Sequence, residues 1–275
     1  MLKPFLEIDH VGKWFPVERA PEPIQVIDDV SLGIAKGEFV AFLGPSGCGK
    51  TTLMRIIGGL DRPSKGRILL EGEEVKGPDR RKGVVFQSYS SFPWLTVIEN
   101  VLFGLKFRTD LSRSRKDEIA QHYIDLVGLS AFANFYVNRI SGGMRQRVAI
   151  ARTLAAGPDV LLMDEPFGAL DAQNREFLQI QLLEICAKER KTTVFVTHDV
   201  EEAIFLSERI VVFSARPAII LEEVRVADHL PLEHDVSIKD SEAFIHLRNK
   251  IMTITRAQAR RTEEQFAQTA RPALE

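Results

Sequence analysis

The chain has 275 residues, 45% of them apolar, and a formal net charge of −2. That is enough apolar material for one large core, or for a core with a subdomain, and the near-neutral balance excludes a basic protein that coats nucleic acid. Two cysteines, Cys48 and Cys186, exclude a disulfide framework and point to a reducing compartment.

Residues 1–10 lack the basic stretch and apolar run of a signal peptide. The longest membrane-span candidate, residues 204–221, is interrupted by Ser207-Glu208-Arg209 and by Arg216-Pro217, short of the roughly 18 unbroken apolar residues a span needs. A soluble protein is predicted. Residues 6–11 alternate, and residues 24–34 carry β-branched side chains at strand density, so both read as strands. Three prolines, Pro16, Pro21 and Pro23, predict a loop between them. Residues 39–43 (FVAFL) form a continuous apolar run and read as a strand buried on both faces. It passes through glycine-rich residues 44–49 into a helical pattern over 51–57, the opening of a nucleotide-binding α/β unit.

From 96 to 156 the period is helical. Ile119, Tyr123, Leu126 and Val127 recur at helix spacing, and Ser141 reads as the N-cap of a helix that stops before Gly157-Pro158. Strand-type runs return at 160–163, 193–196 and 210–213, separated by helices near 172–188 and 200–207. This alternation predicts a mostly parallel sheet covered by helices, with a helical insertion. A strand-like piece at 218–226 follows. A helix is then predicted from 241 to about 265, with Phe244, Leu247, Ile251 and Ile254 on one face. Its polar face mixes Glu263 and Glu264 with Arg256, Arg260 and Arg261, not the uniform basic stripe of a membrane-surface helix. Packing on its own domain or on a second copy is expected.

Gly44-Pro45-Ser46-Gly47-Cys48-Gly49-Lys50-Thr51 fits the phosphate-loop pattern without departure. Glycines let main-chain N–H groups approach a polyphosphate, and the helix behind adds the positive end of its dipole. Lys50 supplies a charge for the β- and γ-phosphates, and the Thr51 hydroxyl a ligand for Mg²⁺. Thr52 continues the cradle into the helix. The helix end is expected to lower the pKa of the Cys48 thiol and make it reactive.

Residues 160–163 run into Asp164 and Glu165. Successive strand side chains point to opposite faces, so the two acids suit different tasks. Asp164 is assigned to Mg²⁺ and Glu165 to polarising the attacking water. Thr197-His198-Asp199 closes another apolar run, where His198 is placed to donate to the γ-phosphate. Gln87, after residues 83–86, is placed to reach Mg²⁺ or the water.

Ile140-Ser141-Gly142-Gly143-Met144-Arg145-Gln146-Arg147 makes the reading specific. It resembles the LSGGQ signature of ABC ATPases, departing where Ile140 replaces Leu and Met144 replaces Gln. The ordered set of phosphate loop, Gln87, Ser141-Gly142-Gly143, Asp164-Glu165, Ala169-Leu170-Asp171 and His198 is similar to that family over residues 1 to about 225. The resemblance implies a RecA-like P-loop NTPase core with an N-terminal antiparallel β subdomain, an inserted helical subdomain at about 88–157, and a short helical extension over 226–275. It implies ATP and Mg²⁺ bound in a head-to-tail dimer, each ATP lying between one copy's phosphate loop and the other's Ser141-Gly142-Gly143, with Asp171 at the seam. An aromatic residue near the N-terminus stacks on adenine. Trp14 and Phe15 are both candidates, and Phe15 is preferred from its register.

The stretch Ser91-Phe92-Pro93-Trp94-Leu95-Thr96-Val97-Ile98-Glu99-Asn100-Val101 is similar to importer ATPases of the nitrate, sulfonate, taurine and bicarbonate group. The resemblance implies a polytopic permease docked at this segment, a solute-binding protein acting through it, and a place on the cytoplasmic face of the inner membrane. Two rival readings fit less well. A soluble ABC ATPase acting on nucleic acid or ribosomes would carry a long coiled-coil insertion, two cassettes or a basic tract, and this chain has none. A nucleotide-sensing regulator would have lost Glu165 or His198, and both are present.

Overall fold

The computed structural model describes residues 3–16, 22–87, 90–168, 170–231 and 235–270. The chain divides into two units, residues 1–78 with 194–275, and residues 79–193. Part of the predicted proline loop, residues 17–21, lies outside the described residues.

In the first unit β1 (Leu6–Phe15) and β2 (Ile24–Ile34) pair antiparallel. They bury Leu6, Ile8 and Val11 on one strand and Ile27, Val30, Leu32 and Ile34 on the other. With β4 (Lys65–Leu70) and β5 (Glu73–Glu74) they form a sheet of order β2-β1-β4-β5. The sequence pattern gave no sign of β4, because only Ile68 and Leu70 in it are buried, behind an exposed Lys65-Gly66-Arg67. Its pairing with β1 is what makes it a strand.

The same unit holds strands in the order β10 (Ile220–Arg225), β9 (Arg209–Phe213), β3 (Phe39–Leu43) and, from Val194 on, β8 (Thr192–Thr197). β3 pairs parallel to β9, whereas β10 runs antiparallel at the edge, which accounts for its weaker apolar pattern. All five residues of β3 are buried, as a strand covered on both faces requires. Helix α1 (Lys50–Ile57) follows it and buries Leu53, Met54, Ile56 and Ile57. Later come α6 (Val200–Leu206) and α7 (Glu242–Ala270). α7 packs on α6 through a face that includes Phe244, Leu247 and Ile251, worth roughly 1.5–3 kcal/mol per fully buried side chain. Of the packing modes expected, it adopts the one on its own unit.

The second unit pairs β6 (Lys82–Val85) parallel with β7 (Val160–Asp164). Its helices are α2 (Val97–Gly104), α3 (Arg113–Leu126), α4 (Gly142–Ala155) and α5 (Ala172–Glu189). α4 packs against α2, α3 and β6, bringing Val148, Ala151 and Leu154 together with Val97, Val101, Ala120 and Ile124 in the core.

Candidate functional site

The phosphate loop is shaped by its glycines. Gly47 and Gly49 sit at φ 75° and 126°, where a side chain is strained. A Cβ on Gly49 would also lie 2.9 Å from the Val26 carbonyl oxygen. The turn delivers the chain into α1 with no side-chain cap at Gly49. By contrast α2, α3, α4, α5 and α6 are capped by Thr96, Ser112, Ser141, Asp171 and Asp199. The first-turn N–H groups of an uncapped helix, at Lys50, Thr51 and Thr52, suit an anion.

Lys50 is buried, and its Nζ donates to the carbonyl oxygens of Gly44 (2.7 Å) and Pro45 (2.9 Å). The ammonium is thereby held inside the curve of its own loop. Ser46 and Gly47 are exposed at the tip, Pro45 is half-buried, and Gly44 and Cys48 are buried. The expected reactive thiol is not accessible: Cys48 is 1% exposed, with Sγ 3.8 Å from Lys50 Nζ. Its Sγ lies beside Gly44, where a Cβ would come within 3.4 Å of it.

Two acids lie at the end of β7. Asp164, the last strand residue, is buried, while Glu165 lies beyond the strand with φ 43°. What separates the two acids is therefore a left-handed backbone break after the strand, and not strand alternation alone. A non-glycine residue held at positive φ costs on the order of 1–3 kcal/mol and marks a position fixed by its surroundings. Buried Pro166 and Phe167 follow, and the Gly168 N–H donates to the Glu165 carbonyl at 3.2 Å. Gln87, just after β6, donates from Nε2 to Glu165 Oε2 at 3.1 Å. The parallel pairing of β6 with β7 brings these residues together across 78 positions of sequence.

Ser141 caps α4 by accepting from the Met144 N–H at 3.3 Å. A Cβ on Gly143 would come within 2.9 Å of Leu170 Cδ2, so glycine there lets the helix start lie against the loop that follows the acids. Ser141 is exposed, and Gly142 and Gly143 are half-exposed. Asp171 caps α5, accepting from the Asn174 N–H at 3.0 Å and side-chain Nδ2 at 2.6 Å. The Asn174 side chain, then its main-chain N–H, hold the carboxyl below its usual range, so it is ionised at neutral pH. Ala169, quoted with Leu170 and Asp171 in the family pattern, lies outside the described residues.

In the first unit, His198 follows β8 as the phosphate loop follows β3, and the two strands are neighbours. His198 is exposed at its strand end. Phe15 ends β1, 36% exposed, with Lys13 Nζ 4.7 Å from its ring centre. The Trp14 ring instead lies over Gly12, where a Cβ would meet it at 2.8 Å.

Two organising residues escaped the sequence reading. Asn100 is fully buried. Its Oδ1 accepts from the Phe92 N–H at 2.8 Å, and its Nδ2 donates to the carbonyls of Phe92, Leu95 and Thr96 at 3.1, 3.3 and 2.9 Å. It closes the turn that presents Trp94, 69% exposed. Arg152 donates to the Ser90 carbonyl and hydroxyl, both at 2.8 Å, and lies over the Phe92 ring at 5.0 Å. Phe92 in turn contacts Trp94 and Phe103, at 5.6 and 4.5 Å between ring centres. An Asn inside a helical pattern and an Arg near a helix end carry no such signal in sequence.

The residues assigned to a metal offer oxygen: the Thr51 hydroxyl, the buried Asp164 carboxylate and the Gln87 amide. An all-oxygen set suits a hard cation such as Mg²⁺ and not a thiophilic one.

Known proteins of one family are similar to this chain. The profile of the family described as ABC transporter matches residues 27–168. An ABC transporter ATP-binding protein of Methanocaldococcus jannaschii is 47% identical over 92% of this chain and 92% of its own. The aliphatic sulfonates import ATP-binding protein of Bacillus cereus is 43% identical over 90% of this chain and 94% of its own. The nitrate import ATP-binding protein of Synechocystis is 42% identical over 94% and 97%. Among solved structures, a dimeric post-hydrolysis ATP-binding cassette bound to ADP and Pi aligns with a TM-score of 0.73 and 34% identity, over 80% of this chain and 98% of that one.

Proposed function

The chain belongs to the ABC transporter family of ATPases, and from that premise we propose that it powers an importer for a small solute of the nitrate, sulfonate, taurine or bicarbonate group. The observation that carries the catalytic half of this reading is the 3.1 Å hydrogen bond from Gln87 to Glu165, a carboxylate fixed at a left-handed backbone position. In this reading Glu165 accepts the proton of the attacking water, and Gln87 orients Glu165 and contributes to placing that water. Gly44, Pro45, Ser46, Gly47, Cys48, Gly49, Lys50, Thr51 and Thr52 cradle the phosphates through main-chain N–H groups and the Lys50 charge. Thr51, Asp164 and Gln87 hold Mg²⁺, which when bound neutralises phosphate charge. His198 donates to the γ-phosphate, and Phe15 stacks on adenine.

Ser141, Gly142 and Gly143 serve the ATP of a second copy. A helix start carries partial positive charge and main-chain donors that suit a γ-phosphate, and the relative of known structure is described as dimeric. Asp171 lies at the seam. ATP closes the head-to-tail dimer, closure moves the membrane partner, and hydrolysis reopens it. Residues 1–225 form the ATPase domain, with the helical subdomain at about 88–157 and the extension at 226–275. Among the described residues no helix is long and apolar enough to cross a membrane. Transport then falls to a separate permease, met on the cytoplasmic face of the membrane and served by a solute-binding protein. The aromatic group of half-buried Phe92 with exposed Trp94 and Phe103 is its docking surface, since interfaces favour aromatic residues. Relatives named for sulfonate and for nitrate import match almost equally well, because an ATPase subunit does not touch the cargo.

Glu165→Gln tests the catalytic assignment. ATP binding is retained, turnover falls about 100-fold or more, and the ATP-bound dimer accumulates in size-exclusion chromatography. Hydrolysis at close to the normal rate removes Glu165 from the role of base.

A further inference from the structure

His198 sits in a peptide held from both sides. Before it, Thr197 is 1% exposed, and its Oγ1 donates to Glu202 Oε2 at 2.9 Å and accepts from the Asp199 N–H at 3.0 Å. After it, Asp199 caps α6 by accepting from the N–H groups of Glu201 (2.8 Å) and Glu202 (3.2 Å). These bonds make the position of His198 a function of where the first turn of α6 lies.

That turn is fixed from outside by α7. Arg248 Nη1 donates to Glu201 Oε1 at 2.9 Å. Phe244, Leu247 and Ile251, which flank Arg248 on the helix, are buried in the packing of α7 on α6. Two further ties stop α7 from sliding. Lys250 Nζ donates to Glu222 Oε1 on β10 at 2.7 Å, and the buried Gln258 accepts from the Ala215 N–H at 3.1 Å, just beyond β9. A helix anchored to β10 and to the end of β9 therefore grips the turn that carries the γ-phosphate donor.

We propose that Arg248 is a positioning residue for hydrolysis: through Glu201 it sets the first turn of α6 and hence the place of His198, so that α7 tunes the catalytic step. The proposal rests on His198 acting at the γ-phosphate. ATP binding is carried by the phosphate loop, which α7 does not grip through this pair, so the effect falls on kcat and not on KM.

The test uses the full chain with Mg-ATP, comparing Arg248→Glu, Glu201→Arg and the two together, with Arg260→Ala at an exposed position of the same helix as control. Each single charge reversal lowers kcat about fivefold with KM changed less than about twofold, and the double reversal recovers at least about half of the wild-type kcat. Arg260→Ala keeps the wild-type rate. Single reversals at full kcat overturn the proposal, as does an effect confined to KM or a folded double variant as slow as the singles. Should Arg248→Glu not fold, Glu201→Gln, which removes the charge at a half-exposed side chain, carries the same test on kcat. His198→Ala separates the two levels. If it hydrolyses ATP at the wild-type rate, the assignment of His198 fails; if it is slow while the reversals are at full rate, only the link through α7 fails.

Discussion

The phosphate loop and the acidic end of β7 are built by different means. In the phosphate loop the main chain is the proposed functional group, and its path depends on Gly47 at φ 75° and Gly49 at φ 126°. At the end of β7 the groups proposed to act are side chains. The unusual backbone position there, φ 43°, is occupied by Glu165 itself, and its carboxylate accepts a hydrogen bond from Gln87 on a neighbouring strand end. A backbone-built site depends on the absence of side chains. A side-chain site depends on partners that meet only after the sheet has formed.

Three substitutions sharpen that contrast. Gly49→Ala places a Cβ at a glycine-only backbone angle and 2.9 Å from the Val26 carbonyl oxygen. ATP affinity should fall about 100-fold, equivalent to about 2.7 kcal/mol, as equilibrium nucleotide binding will read. An affinity within a few-fold of wild type breaks the view that the loop acts through its main-chain path. Gln87→Ala should lower kcat about tenfold and leave ATP affinity almost unchanged, because it loosens the base without removing it. Equal losses in affinity and kcat would instead assign Gln87 chiefly to nucleotide binding. The smallest effect on turnover is expected at Asn100→Ala. It strips the Phe92–Thr96 turn of its buried amide and should cost about 2 kcal/mol in denaturant unfolding, with ATPase activity of the free subunit within about twofold. A larger loss of activity than of stability would tie that turn to the catalytic centre.

Much of the fold is legible in the sequence, and the exceptions have physical causes. β3 matched its predicted range, 39–43, because a strand buried on both faces is an unbroken apolar run. Ser141 was identified as a cap and is one, since a hydroxyl before a helix satisfies N–H groups locally. β4 was missed because half of it is exposed and its strand character comes from pairing with β1. Cys48 was expected to be reactive from its place beside a helix start, but its side chain is buried, and the covering of a side chain is set by packing that a loop pattern does not encode.

By itself the sequence determined the phosphate loop, the apolar strand ending in Asp164-Glu165, the Ser141 helix start and the order in which they follow one another. Each is a local requirement: glycine where side chains clash, a hydroxyl where N–H groups lack partners, apolar runs where both faces are covered. Only the tertiary structure decided that Gln87 restrains Glu165, that Asn100 shapes the turn bearing Trp94, and that α7 grips the turn bearing His198. Those are meetings between residues far apart in the chain, and a side chain's partner is set by the packing that brings the two together.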